Sequence, residues 1–199
     1  MTPPRDPDAT RQHILEICAE EMVAKGYKGT SLAEIIEKAG ISKGGLYHHF
    51  ANKQELGYAV FEEVFIKEFL ADWEVPLSEE NPIQGLYHWM LEFAASVSEE
   101  ELEHGCPMSR IAMEMSDTDE GFHERAFMMF KLLSERFTRA LSEAKDKSYI
   151  KDEVDTKSTS IFIVAAIQGL MLQGKCVRDM DAFKSGVTCL ANYILSLQK

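Results

Sequence analysis

The chain is predicted to be entirely α-helical, with a three-helix N-terminal head followed by a larger helical body. Apolar residues recur at spacings of three and four along most of the chain, and alternating strand patterns are scarce. The chain has only 6 prolines, and 199 residues with 45% hydrophobic content can bury a sizeable core. We therefore expect about nine helices, divided into a disordered lead (1–7), a head (8–52) and a body (53–199).

The first predicted helix has Asp8 or Thr10 as its N-cap and ends at Gly26, with apolar residues recurring at helical spacing between them. Residues 1–7 contain three prolines and no apolar run. They are expected to be disordered rather than to form a signal peptide.

Residues 30–53 predict two short helices joined by a tight turn. Thr30 is a suitable N-cap for the first helix, and Gly40 suits the left-handed position that ends it. Ser42 can then cap a second helix that begins at Lys43. This arrangement is a helix-turn-helix, whose second helix could lie in the major groove of DNA.

Charge favours the same interpretation. The stretch from Lys38 to Gln54 contains three lysines and two histidines but no acidic residue, although the chain has a formal net charge of −12. A short basic run is often only a solvated helix face. Here the caps, the turn and Tyr47 within the run favour a nucleic-acid surface.

The segment Ser42–Phe50 (SKGGLYHHF), followed by Asn52-Lys53, resembles the DNA-binding domain of the TetR/AcrR family over about residues 8–57. The resemblance implies an all-helical homodimer that binds DNA through its head and a small ligand through its C-terminal domain. Ile41, Leu46 and Phe50 are then core residues. The DNA contacts implied are Thr30, Ser31 and Lys53 at phosphates, and Lys43, Gly44, Gly45, Tyr47 and His48 on the recognition helix.

Further helix starts follow along the body. Asn52 with Glu55 predicts a long fourth helix that ends near residue 71, and Asn81-Pro82 predicts another start. Later starts are predicted at Pro107, at Asp117 or Asp119, and at Asp155.

The last two predicted helices suggest a partner. Residues 156–176 are apolar nearly all round, so this helix is expected to be buried on more than one side, and residues 182–197 carry a second apolar stripe. Two such helices from each of two protomers would form a four-helix interface, and a two-fold dimer would read an inverted-repeat operator. The alternative is a monomeric helical core.

The middle of the chain is rich in methionine and aromatic residues, which adapt to irregular ligands. Trp89, Phe93, Met113 and Phe130 are the candidate pocket residues for a small-molecule effector. The alternative is that such stripes are ordinary core.

The 4 cysteines differ in their surroundings. Cys18 and Cys189 are predicted on apolar helix faces, whereas Cys106 precedes Pro107 and would lie at a helix N-terminus, where a thiolate is stabilised. The run from Gly105 to Met108, with Ala112, Glu114 and Ser116, resembles a TetR subgroup in which this cysteine lies near the ligand site. Some members of that subgroup sense electrophiles or oxidants. Cys106 is therefore a candidate sensor, with His104, Lys175 and Cys176 as possible neighbours; the alternative is a small buried residue at a helix start.

Other function classes are disfavoured. The sequence has no phosphate-binding glycine loop, no serine elbow and no paired metal spacing, so neither an enzyme nor a cofactor is predicted. A membrane span is not expected either, and the chain is expected to be cytoplasmic. We predict a dimeric, sequence-specific repressor that is released from its operator by an effector or by thiol modification. The alternatives are a constitutive structural DNA-binding protein, which a pI near 5.0 disfavours, and a cysteine-dependent enzyme.

Overall fold

The computed structural model describes residues 7–199 and confirms the all-α prediction. Within this range there is no strand, only an isolated antiparallel bridge between Ile150 and Gln198. The predicted disordered lead lies outside the described residues except for Pro7, which begins the first helix.

The helices follow one another with short connections. In chain order they are α1 (Pro7–Gly29), α2 (Leu32–Ala39), α3 (Lys43–His49), α4 (Lys53–Val60), a π-helical turn (Phe61–Ile66), α5 (Lys67–Asp72), α6 (Glu74–Ser78), α7 (Pro82–Ser96), α8 (Glu99–His104), α9 (Pro107–Met115), α10 (Glu120–Asp146), α11 (Thr156–Val177) and α12 (Met180–Ser196).

Most of the predicted caps are present. Gly40 has φ 63°, the left-handed conformation that a glycine adopts without strain, and Ser42 accepts a hydrogen bond from the Gly45 amide at 3.0 Å. Asn52 accepts from the Glu55 amide at 2.8 Å. Asn81 and Asp155 cap α7 and α11 as predicted. Side-chain chemistry therefore locates these helix starts without tertiary information.

Two predicted caps are wrong. The N-cap of α2 is Ser31, whose hydroxyl accepts from the Ala33 amide at 3.3 Å, and not Thr30. Thr30 instead turns its hydroxyl back to the Gly26 carbonyl at 2.8 Å. Asp8 and Thr10 both lie inside α1, because the helix already begins at Pro7, a residue suited to a first helical turn.

Two short helices were not predicted from the sequence. α6 follows Trp73, and α8 begins with a capping box in which Ser98 and Glu101 exchange hydrogen bonds. The long fourth helix extends to Asp72 as expected, but it contains the π-helical turn. In that turn Glu63 accepts two hydrogen bonds from Arg11 of α1, each of 2.6 Å.

The chain forms two compact units. The first unit contains the described residues up to Phe69 together with Pro107–Phe127, and the second contains Leu70–Cys106 and Met128–Lys199. α9 and the first turns of α10 therefore belong to the same compact unit as the head. The sequence alone suggested only a boundary near residue 53.

Each unit has an apolar core of its own. In the first unit, Leu46 and Phe50 anchor α3 and are at most 1% exposed. Ile41, also predicted as core, is half-buried. In the second unit, Trp73 packs against Trp89 and Phe137, with ring centroids 4.2 Å and 5.2 Å away. These contacts fix α3 and α7, which carry the candidate functional residues.

Candidate nucleic-acid interface and thiol site

α3 presents a polar outer face over an apolar inner face. Leu46 and the following Phe50 are buried, whereas Lys43, Tyr47 and His48 are exposed on the opposite side. Lys43 and Tyr47 are four residues apart, and the lysine ammonium lies 5.9 Å from the tyrosine ring centroid. This face offers one cation, one phenol and one imidazole to a partner.

The two glycines of α3 differ in their surroundings. A Cβ atom at Gly44 would meet only the Ser42 hydroxyl at 3.9 Å, so packing within the chain does not require glycine there. At Gly45 the same hydroxyl would be 3.4 Å away, because it caps this turn. With no side chain at Gly44, the backbone of α3 is accessible there to a partner molecule.

The surroundings of two predicted phosphate contacts argue against that role. Thr30 is 3% exposed, and its hydroxyl is used within the chain. The Lys53 ammonium donates to the Lys28 carbonyl at 3.3 Å and lies 4.6 Å from the Tyr27 ring centroid; burial lowers its pKa. Both side chains therefore bind backbone carbonyl groups at the end of α1, next to the helix-turn-helix. Ser31 is half-buried, with its hydroxyl at the N-terminus of α2.

Glu21 compensates the charge of two further lysines near the helix-turn-helix. This buried carboxylate of α1 pairs with Lys25 at 2.8 Å and with Lys38 of α2. Hydrogen bonds from Lys25 and then Lys38 keep the pKa of Glu21 below its ordinary value. Lys43 is thus the exposed cation of α3 that has no acidic partner within the described residues.

His49 and His48 are neighbours with different exposure. His48 is exposed, whereas His49 is half-buried and its ring centroid lies 5.1 Å from that of His48. Burial, followed by the proximity of His48 and Arg11, lowers the pKa of His49. The lowered pKa favours the neutral form of the His49 imidazole, so His49 contributes less positive charge to α3 than an ordinary histidine would.

Sequence reasoning missed a polar and aromatic cluster inside the first unit. Asp119 accepts hydrogen bonds from the Tyr58 hydroxyl at 2.5 Å and from the Gln54 amide at 2.7 Å, and it also caps α10. The Phe122 ring lies edge-on to Tyr27 and Tyr58 at centroid distances of 4.7 Å and 4.9 Å. The only sequence signal was the suitability of Asp119 as a cap, which does not predict partners more than 60 residues away.

The structure brings together two of the four candidate pocket residues. Trp89 stacks on Phe93 at 5.3 Å, and the two line an apolar crevice of the second unit with Phe183. The crevice has a cavity volume of about 10 Å³, enough for one water molecule. Phe130 is half-buried and Met113, on α9, is 61% exposed; neither lines this crevice. Trp89 and Phe93 are thus packed, as core residues are, around very little free space.

None of the four cysteines is in a disulfide. Cys18 is buried, and burial raises the pKa of its thiol to about 12, so it is protonated and unreactive at neutral pH. Cys176 is exposed. Cys189 is also exposed, which corrects its predicted place on an apolar face, since it lies on the outer side of α12. Cys106 is half-buried and directly precedes Pro107, the first residue of α9.

Lys175 of α11 lies at the turn that leads to Cys106. Its ammonium donates to the carbonyls of Glu103 and His104 at 2.7 Å and 3.0 Å. Its aliphatic chain packs on Gly105, where a Cβ atom would be 3.1 Å from the lysine Cδ, and Gly105 has φ 67°. The Lys175 side chain therefore lies against the turn that immediately precedes the half-buried Cys106.

The described residues contain no group of histidine, cysteine and carboxylate side chains that could hold a metal ion. α11 has the length and apolar character of a membrane span, with a mean hydropathy of 1.5 over its most apolar 18 residues, although no span was expected from the sequence. Only 28% of its most apolar window is buried. One such helix is weak evidence for a membrane, because core helices of soluble proteins can have the same length and apolar composition.

A helix-turn-helix whose second helix has a polar outer face is the arrangement with which many regulators bind DNA. Residues 14–60 match the model of the bacterial regulatory proteins of the tetR family, and residues 82–190 match the tetracyclin repressor-like C-terminal domain. The protein therefore belongs to the TetR family.

Individual relatives agree with this assignment. The repressor DhaR of Mycobacterium sp. (strain GP1) is 25% identical over 192 residues, which cover 93% of this chain and 92% of DhaR. An uncharacterized HTH-type regulator of Lactococcus lactis is 26% identical over 184 residues, 91% of each chain. A TetR-family regulator from Cytophaga hutchinsonii shares the fold, with a TM-score of 0.85, 19% identity and 96% coverage of both chains. The two sequence relatives are named as regulators and not as enzymes.

Proposed function

We propose that the protein is a cytoplasmic, homodimeric repressor that binds an inverted-repeat operator and is released by a small-molecule effector or by modification of Cys106. The exposed face of α3, with Lys43, Tyr47 and His48, carries this proposal. Phosphate contact by the lysine gives affinity, whereas base-edge contact by the other two gives specificity.

The DNA contacts that we propose are Ser31, Lys43, Gly44, Gly45, Tyr47 and His48. Ser31 lies at the N-terminus of α2, where amide groups favour a phosphate. Gly44 allows the α3 backbone to approach DNA closely, because its Cβ position is open. Thr30 and Lys53 are left out because both are engaged within the chain.

We assign the dimer interface to α11 and α12. On α11, Ile161 and Phe162 are 53% and 51% exposed, and Phe162 packs against Tyr193 of α12 at 5.1 Å. Leu172, about three turns after Ile161 on the same side of α11, is 44% exposed. Exposed apolar residues along one side of a helix favour its burial against a second copy of the chain. A dimer with two-fold symmetry would then present its two DNA-binding heads to the two halves of an inverted repeat.

Release is assigned to the second unit. Trp89 and Phe93 would open around an apolar effector, and Cys106 would react with an electrophile or an oxidant. The proximity of Lys175 to the Cys106 turn supports the thiol route, because a cation stabilises the thiolate that reacts. Cys18 takes no part, because its thiol is buried and protonated.

Selection of random duplex DNA by the purified protein tests the proposal. We expect an inverted repeat to be recovered and its recovery to fall after mild thiol oxidation. The control is Cys106→Ser, which should select the same repeat and keep it after oxidation. Recovery of DNA without sequence preference would contradict the operator, and equal sensitivity of Cys106→Ser would contradict the thiol route alone.

A further inference from the structure

α1 is broken three residues before its end. Gly26 has φ 77° and ψ 172°, and the residues after it form a short turn that leads into α2. A break of this kind interrupts the helical hydrogen-bond ladder, leaving carbonyl groups before it and amide groups after it without helical partners. These groups must find other partners, because Gly26 is buried.

Two side chains of α9 supply those partners. Arg110 donates to the Val23 carbonyl at 2.7 Å, on the near side of the break. The Glu114 carboxylate accepts from the Tyr27 amide at 2.9 Å and from the Lys28 amide at 2.6 Å, on the far side. We call Arg110 and Glu114 the α9 clamp.

The α9 clamp requires glycine at the break. A Cβ atom on Gly26 would lie 2.6 Å from the Glu114 Oε2 atom, and the left-handed φ would strain any other residue. The Lys28 ammonium also returns to the Glu114 carbonyl at 3.0 Å, which ties the turn to the α9 backbone as well.

The turn held by the α9 clamp is the entry to the helix-turn-helix. Thr30 bonds to the Gly26 carbonyl and Ser31 caps α2, so no flexible segment separates Glu114 from the start of α2. The direction of α2, and with it that of α3, depends on the geometry of this break. Glu114 belongs to the run that follows Cys106 in the sequence, but its contact with the break in α1 was not evident there.

We propose that Arg110 and Glu114 are positioning residues for operator binding: through the break at Gly26 they set the orientation in which α3 meets DNA. The proposal rests on the proposed operator-binding function. α9 begins at the residue after Cys106. In this proposal, modification of Cys106 therefore alters DNA affinity through the α9 clamp.

The test uses the full-length protein with Cys176→Ser and Cys189→Ser, so that Cys106 is the accessible thiol. Glu114→Gln keeps the shape of the side chain but loses the carboxylate that accepts from two amides, and Arg110→Gln removes the other half of the clamp. Glu124→Gln, an exposed site on α10, is the matched control for the lost charge. Operator affinity is measured before and after alkylation with N-ethylmaleimide, together with the melting temperature and amide exchange at Tyr27 and Lys28.

We expect both clamp variants to bind the operator about tenfold more weakly than Glu124→Gln, because charge-assisted hydrogen bonds are lost. Alkylation should weaken operator binding in the control but change it little further in the clamp variants. If Arg110 and Glu114 only added stability, their variants would have a lower melting temperature. The ratio of operator affinities before and after alkylation would then be the same in the variants as in the control.

Operator affinities of both variants within about twofold of the control would overturn the proposal, since a positioning residue must affect affinity. Should one variant fail to fold, the other decides. A parent protein that selects no operator would remove the proposed function instead. In that case unchanged amide exchange at Tyr27 and Lys28 in Glu114→Gln would overturn the clamp, and faster exchange would support its hold on the turn.

Discussion

Lys43 and Lys53 are both predicted DNA contacts, but the fold gives them different surroundings. Lys43 is exposed and has no acidic partner within the described residues, whereas the Lys53 ammonium is held by the Lys28 carbonyl and the Tyr27 ring. Only an available ammonium can displace the counterions of a phosphate. The two lysines should therefore respond differently to substitution.

Lys43→Met is expected to weaken operator binding and to make it less dependent on salt. The slope of log affinity against log salt should fall by about 0.9 for each lost contact, or about 1.8 for a dimer. Measurement of operator affinity over a range of salt concentrations checks this. Lys53→Met is the control and should lower the melting temperature without the same change of slope; an equal change of slope would restore Lys53 as a phosphate contact.

Glu21→Gln is expected to lower the free energy of unfolding by roughly 1–3 kcal/mol at neutral pH, because two lysines lose their buried anionic partner. The folded-state pKa of Glu21 is lowered. Its stabilisation is therefore present above the unfolded pKa, near 4.3, and lost as pH falls through the lower folded value. Denaturant unfolding from pH 7 down to pH 3 should show a smaller loss of stability in the variant.

Glu20→Gln is the matched control for this change, since it removes the same charge from an exposed neighbouring position. It should leave the pH dependence of stability close to that of the parent protein. If the two variants had the same pH profile, the stabilising role of the buried carboxylate would be refuted.

At the scale of elements, α3 is a short helix with two adjacent glycines, which is costly for a helix. Gly44 has no packing reason to be glycine, because its Cβ position is open. Because packing within the chain does not explain this cost, we propose that Gly44 allows a close approach of DNA to the α3 backbone.

Gly44→Ala is accordingly expected to raise the free energy of unfolding by roughly 0.5–1 kcal/mol through better helix propensity, while weakening operator binding. Thermal unfolding and operator titration of the same preparation measure both effects. Higher stability with unchanged operator affinity would show that the α3 backbone does not approach DNA at this position.

At the scale of the whole molecule, the open face of α11 concerns assembly. Phe162→Asp is expected to convert a dimer into a monomer at micromolar concentration, because it places a charge in the proposed apolar interface. Sedimentation measures this change. The loss of pairing should also weaken operator binding strongly, since each head would then meet its half-site alone.

Val75→Asp is the control for this substitution, because Val75 is 70% exposed on a different helix of the second unit. It should leave the sedimentation coefficient unchanged. A monomeric parent protein, or a Phe162→Asp variant that remains dimeric, would contradict the assignment of the interface to α11.

The sequence by itself determined the helical class, most helix starts and the helix-turn-helix. These depend on local chemistry: Gly40, Ser42 and Asn52 act on backbone groups within a few residues of themselves, and helical periodicity is visible in any single chain. The inward positions of Leu46 and Phe50 follow from the same periodicity.

The tertiary structure alone decided which polar groups remain available. Thr30 and Lys53 have the residue types of phosphate contacts, but the break in α1 turns the Thr30 hydroxyl to the Gly26 carbonyl, and the Lys28 carbonyl engages the Lys53 ammonium. The pairing of Arg110 and Glu114 with the break in α1 spans 86 and 87 residues, and no local pattern encodes it. A backbone group that loses its helical partner must be satisfied by whatever the fold brings near, and only the folded chain specifies that neighbour.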